Sequence, residues 1–204
     1  MRMRVTMGFA LLSLSAAPAF AQQVDLTPFG GFRVGGGMED YYSGVEFDIK
    51  DDWSYGGMLD VAIPGGRAVE FVYSHQGTEV NAGSGYTGPV TAADVNVDLW
   101  QLGLLQEKPL SPTVTSYGVG TLGITHFGFP TESADRFSIG FGGGAKVFPS
   151  PKVGLRLDAR GYVTFVDTSS FYVTGGGGGA AVSFTSSALF QAEFLGGVVF
   201  RFGK

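Results

Sequence analysis

Cysteine is absent from this chain of 204 residues, which excludes disulfides and any thiolate-based metal or redox chemistry. Charge is scarce as well: Asp, Glu, Lys and Arg make up 15% of the residues, and only two are histidine. Soluble domains carry roughly a quarter charged residues, so the chain lacks the polar coat that water requires. Beyond the N-terminus no segment offers the roughly 18 uninterrupted apolar residues of a membrane helix. Acidic side chains outnumber basic ones by 18 to 13, and nucleic acid is not an expected partner. What the chain has instead is 34 glycines and 18 phenylalanines, residues that turn and pack sheets.

The N-terminus carries an export address. Arg2 and Arg4 precede an apolar run from Val5 to Ala17, and Ala19-Phe20-Ala21 forms a small-x-small cleavage site before Gln22. Cleavage between Ala21 and Gln22 is expected, which leaves residues 22–204 as one domain with a formal charge of −7. An exported chain without an apolar helix can cross a membrane only as a closed sheet, because only helices and barrels satisfy every backbone group in lipid.

The C-terminal segment is written as one wall of such a sheet. From Ala188 to Phe202 one face reads Ala, Phe, Ala, Phe, Gly, Val, Phe, Phe, and the other carries Gln191, Glu193 and Arg201. A period of two means strand, and a tilted strand crosses a bilayer in roughly 9–11 residues. Seven further strands are expected at Val24–Gly36, Trp53–Ile63, Arg67–Thr78, Asp94–Glu107, Thr113–Phe127, Asp135–Phe148 and Lys152–Val166. The fourth changes phase in its apolar pattern, with Val95, Val97 and Leu99 on one face but Trp100, Leu102 and Leu104 on the other, so a bulge is expected there. The fifth is ambiguous because glycine occupies both faces.

Connections after the second, fourth and sixth strands are short and rich in Pro and Gly, whereas residues 37–52, 79–93, 128–134 and 167–187 form mostly longer ones. Short periplasmic turns and long outer loops are the pattern of an outer-membrane barrel. The predicted fold is all-β, an eight-stranded antiparallel up-and-down transmembrane β-barrel in the outer membrane of a Gram-negative bacterium, with both termini periplasmic. Trp53, Tyr55, Tyr73, Phe137 and Phe165 near the loop ends, and Tyr117, Phe200 and Phe202 near the turn ends, are expected to form two aromatic girdles. A soluble barrel with an apolar interior would alternate similarly. Its water-facing side would be rich in Lys and Glu, whereas the polar faces here are thinned by Gly and Ser.

The stretch FSIGFGGGAKVFPSPKVGLRLDARGY from Phe137 to Tyr162, with QAEFLGGVVFRF from Gln191 to Phe202, resembles the outer-membrane protein β-barrel domain family of small eight-stranded barrels. The likeness spans the chain after the signal. It implies a barrel fold and little about activity, since that family includes structural barrels and adhesins. Outer-membrane lipid, lipopolysaccharide and the membrane's assembly machinery are the partners it implies, and a monomer is expected. Such barrels commonly end on an aromatic residue, whereas here Phe202 is followed by Gly203-Lys204.

The expected inward phases place Arg33, Lys146, Arg156, Arg160 and Arg201 in the lumen with Asp60, Glu70, Asp98, Asp158 and Glu193. Eight strands leave an interior just wide enough for side chains, and buried ions persist only when paired. The first expectation is a polar plug that fixes the barrel's shape, in a structural protein or one that meets other surfaces through its loops. The alternatives are a narrow path for ions or small solutes and a loop-mediated adhesin or ligand-binding barrel.

No cofactor, metal site or catalytic residue is expected. His126 is followed two residues on by Gly128, where lipid A deacylases carry a serine, and His75 lies beside Ser74 on the opposite face of its strand. Glu39, Asp40, Glu46, Asp48, Asp51 and Asp52 make the first loop acidic, but they lack the spaced signature of a calcium loop and read as a solvated face. Gly175–Gly179 reads as a flexible run. Gly35–Gly37 and Gly142–Gly144 precede no helix, so neither is a phosphate cradle.

Overall fold

The computed structural model describes residues 23–39, 46–82, 93–130, 133–165, 171–175, 178–182 and 188–203. Every element among them is a strand: β1 (Val24–Gly35), β2 (Gly37–Glu39), β3 (Glu46–Ile49), β4 (Asp52–Ile63), β5 (Arg67–Ala82), β6 (Ala93–Pro109), β7 (Val114–Gly128), β8 (Ser133–Val147), β9 (Val153–Phe165), β10 (Phe171–Gly175), β11 (Gly178–Val182) and β12 (Ala188–Phe202). The expected signal segment, with Ala21 and Gln22, lies outside the described residues.

Eight of these strands, β1, β4 to β9 and β12, close into an antiparallel barrel in which β1 pairs with β12 and β5 with β6. They are the eight strands the alternation predicts. Their tilt follows from the register. A row that starts at Gln76 passes through Ser54, Gly31, Leu195, Asp158, Gly144, Tyr117 and Glu107, whose amide bonds the carbonyl of Gly66, ten residues before the start. A stagger of that size tilts the strands by roughly 35–45° and leaves a narrow interior.

No bulge interrupts β6. Its register is unbroken from Arg67↔Gln106 to Val80↔Ala93 on one side and from Asn96↔Gly128 to Pro109↔Thr115 on the other. The change of phase in the sequence is a change of surroundings with height. Near the mouth, Val95 and Val97 point inward and are buried with Ile49, Val80, Phe127 and Leu189 as an apolar cap, and Leu99 is buried on the same face of the strand. Further down, Trp100, Leu102 and Leu104 point outward and are 47–56% exposed. Tyr117 also departs from expectation, facing the lumen at 6% exposure instead of joining a girdle.

Two of the long connections contain strands that periodicity does not announce. β2 and β3 pair in the first, and β3 continues onto the upper end of β5, Ile49 opposite Val80. Gly35 and Gly36, at φ +87° and +123°, make the bend that brings Ile49 back over the mouth. In the last connection β10 and β11 form a hairpin with Gly175 opposite Gly178, so the expected flexible run is in part a strand pair.

Candidate functional site

The lumen is filled by ions. At its lower end Asp25 accepts from Arg201, Nε at 2.8 Å and Nη2 at 2.9 Å. Lys146 Nζ lies 3.3 Å from Asp25, 2.9 Å from Asp60 and 2.7 Å from Glu107. In the centre Arg156, fully buried on β9, donates through Nη1 to Asp60 at 2.8 Å, through Nη2 to Glu70 at 2.6 Å and through Nε to Asp158 at 2.8 Å. Its Nε also reaches the Tyr117 hydroxyl at 2.8 Å, and the guanidinium lies 4.7 Å from that ring's centre. Arg160 donates to Glu70 from Nη1 and Nη2 at 2.8 and 2.9 Å and to Asp158 at 3.0 Å.

Topology sends these bonds across the lumen. In the ring of eight, β9 and β5 are four strands apart in either direction, so the bonds of Arg156 and Arg160 to Glu70 span the barrel's diameter. Arginine suits the task because its fork of donors can satisfy several carboxylates at once. Gly144 makes room for the arrangement: a Cβ there would collide with the Leu157 carbonyl and the Tyr117 hydroxyl. Tyr117 could not then lie against Arg156.

A second layer lies nearer the mouth. Arg33, fully buried, donates from Nη2 to Glu193 at 3.2 Å and to the Ser74 hydroxyl at 2.6 Å. Glu193 also accepts from Ser74 at 2.7 Å and from Tyr162 at 3.1 Å. This layer is less completely matched, since Arg33 Nε and Nη1 and both amide atoms of Gln191 have no hydrogen-bond partner.

Nine of the ten lumen residues read from the sequence, Arg33, Asp60, Glu70, Lys146, Arg156, Asp158, Arg160, Glu193 and Arg201, do point inward and join these layers. Asp98 does not. It lies on the outward face of β6, where its Oδ1 accepts from Tyr73 at 2.9 Å and lies 2.7 Å from His75 Nδ1. The assumed bulge had put it in the wrong phase; without one, even-numbered residues of β6 face out. Two lumen carboxylates were missed, Asp25 and Glu107. Both were legible, because Asp25 shares its phase with Arg33 on β1, and Glu107 lies opposite in phase to the apolar Trp100, Leu102 and Leu104 on β6.

Trp53, Tyr55, Tyr73, Phe165, Phe200 and Phe202 all lie on the outward face, with Trp53 72% and Tyr55 62% exposed. Between these aromatic ends the wall presents Leu, Ile, Val and Phe. In the first loop Asp51 accepts from the Gly35 amide and Asp52 from the Trp53 amide, while Asp40 lies outside the described residues. Among the described residues no group of three or more His, Asp or Glu side chains is arranged to hold a metal.

A closed eight-stranded barrel with an apolar exterior, aromatic ends and an ionic interior is a transmembrane β-barrel of the outer-membrane class. The model of the outer membrane protein beta-barrel domain matches residues 7–202, and the chain belongs to that family. Its place is therefore the cell outer membrane. No curated protein sequence matches it. Among solved structures the fold is similar to OprG of Pseudomonas aeruginosa, at 12% identity and TM-score 0.59 over 90% of this chain and 97% of that one. It is also similar to AlkL in lipid bilayers, at 14% identity and TM-score 0.57 over 100% and 98%, and to Neisserial surface protein A, at 11% and 0.55 over 88% and 96%. Likeness at this level of identity speaks for the fold alone.

Proposed function

We propose that this protein is a structural, surface-facing barrel with a plugged lumen, in which catalysis has no part. One observation carries the reading: Arg156 is fully buried and bonded to carboxylates on β4, β5 and β9. A permeating ion would have to displace these groups, and a charge left unpaired in a low-dielectric interior costs several kcal/mol. Asp60, Glu70, Asp158 and Arg160 surround the same point, so no single rotamer change opens a path.

The orientation is read from the chain. The signal is removed after Ala21, both termini stay in the periplasm, and the connections between β1 and β4, β5 and β6, β7 and β8, and β9 and β12 face the cell exterior. Insertion depends on the outer-membrane assembly machinery, with Phe202 in the last strand as the aromatic it reads, and the barrel works as a monomer among outer-membrane lipid and lipopolysaccharide. With the lumen closed, those outer connections are where it meets other surfaces.

The test is single-channel current across a planar bilayer, using the chain refolded from Gln22 and shown by circular dichroism to be inserted and β-rich. The inserted protein is expected to be silent. Discrete steps that vanish or change size on Glu193→Gln would establish the channel instead. Protease sensitivity on whole cells, confined to the outer connections, checks the orientation.

A further inference from the structure

The outward wall carries polar groups where lipid alone would call for none. Tyr55, His75, Asp98, His126 and Asp135 are successive register partners across β4 to β8, one row on the barrel's exterior. Each imidazole is held through Nδ1 by a carboxylate, His75 by Asp98 at 2.7 Å and His126 by Asp135 at 2.6 Å. A carboxylate accepts from Nδ1, which directs the proton to that nitrogen and leaves Nε2 free to hydrogen-bond a ligand, as an acceptor in the neutral form of the ring.

The next row toward the mouth holds Gly77, Asn96 and Gly128. A Cβ at Gly77 would lie 3.5 Å from Asn96 Oδ1 and 3.9 Å from His75 Nε2, and one at Gly128 would lie 3.8 Å from His126 Nε2 and 3.7 Å from Asn96 Cβ. Asn96 thus stands between two gaps with room for a Cβ, each with an imidazole Nε2 at its edge. The Tyr55 ring lies 5.1 Å from that of His75, and exposed Trp53 stands two residues nearer the mouth on the same face of β4. Directly below, Tyr73 and Trp100 pack at 4.3 Å and open the lipid-facing band.

The geometry points to a docking site for the sugar headgroup of an outer-leaflet glycolipid: hydroxyls donate to His75 and His126 Nε2, Asn96 bonds the ring substituents, and a sugar face lies against Tyr55 and Trp53. Acceptors aimed outward select donors, and Asp98 and Asp135 beside them disfavour a phosphate. The band below takes acyl chains, so a ligand with sugar above and hydrocarbon below covers both surfaces at once. This rests on the proposed orientation, which puts the row in the outer leaflet.

The test uses the full mature chain in phosphatidylcholine nanodiscs with added lipid A, where native mass spectrometry counts bound lipid A whatever the orientation in the cell. Protease accessibility on cells decides the orientation separately. Two variants interrogate the site. G77V/G128V puts side chains into the gaps, each Cβ at ordinary contact distance, and suits an extended strand, and H75F/H126F removes both imidazoles. Each is expected to lower lipid A retention about tenfold, the equivalent of two neutral hydrogen bonds, with heat modifiability on gels unchanged. Lipid A stripped of its phosphates is expected to bind as the intact molecule does. Equal retention by wild type and the still-folded G77V/G128V would overturn the site. Loss of binding with the phosphates would overturn the sugar assignment, and full competition by the free glucosamine disaccharide would overturn the lipid.

Discussion

Replacing Arg156 by methionine tests the plug directly. Methionine keeps much of the length and removes the charge, leaving Asp60, Glu70 and Asp158 without their shared partner. Removing one member of a buried ion pair costs about 3–5 kcal/mol. Here the lower end is expected, because Asp60 keeps Lys146 at 2.9 Å while Glu70 and Asp158 keep Arg160 at 2.8 and 3.0 Å. With an m-value of about 2 kcal/mol/M, a loss of about 3 kcal/mol lowers the urea midpoint by about 1.5 M, measured by tryptophan fluorescence of the barrel in lipid vesicles. The reasoning makes a second demand. Adding Asp60→Asn to Arg156→Met removes one carboxylate from the resulting excess and is expected to recover part of the loss. Arg67→Met is the control, since Arg67 is exposed and donates to the Pro64 carbonyl in a turn. A loss under about 1 kcal/mol for Arg156→Met, or none recovered by the double change, would refute the ionic plug as the source of stability.

Arg33→Met should cost less, about 2 kcal/mol, because Glu193 keeps hydrogen bonds from Ser74 and Tyr162; the same urea titration checks it. On the exterior, Leu102→Arg puts a cation in the lipid-facing run between Trp100 and Leu104 and should destabilise by about 2–4 kcal/mol, read as a lowered unfolding midpoint in vesicles. Gly144→Val should prevent the Tyr117–Arg156 contact and sharply reduce the refolded fraction on heat-modifiability gels. Gly120→Val, on the outward face with nothing within 4 Å of a Cβ, should refold as wild type does.

How much of the site was legible varies with the strand. On β1, β9 and β12 the outward face is apolar and the inward face mixed along the whole length, so alternation alone assigned Arg33, Arg156, Arg160 and Glu193 to the interior. On β6 the interior itself changes from an apolar cap to polar layers, so no single apolar face exists to follow. The bulge invoked to explain this misplaced Asp98. Tyr117 was misread for a related reason. An aromatic near a strand end satisfies the girdle pattern from either face, and only its contact with Arg156 shows that it belongs to the lumen.

The sequence by itself determined the eight barrel strands, the closure into a barrel and, on the strands that alternate cleanly, the choice of inner and outer faces, because a period of two and the absence of any apolar helix leave the backbone no other way to satisfy itself in lipid. Tertiary structure decided which ions meet. The pairing of Arg156 with Glu70 depends on the stagger that sets their relative heights and on closure that places β9 opposite β5. The same stagger lined up His75, Asp98 and His126 on the exterior. These residues are distant in sequence, and no local pattern encodes the register that brings them into one row.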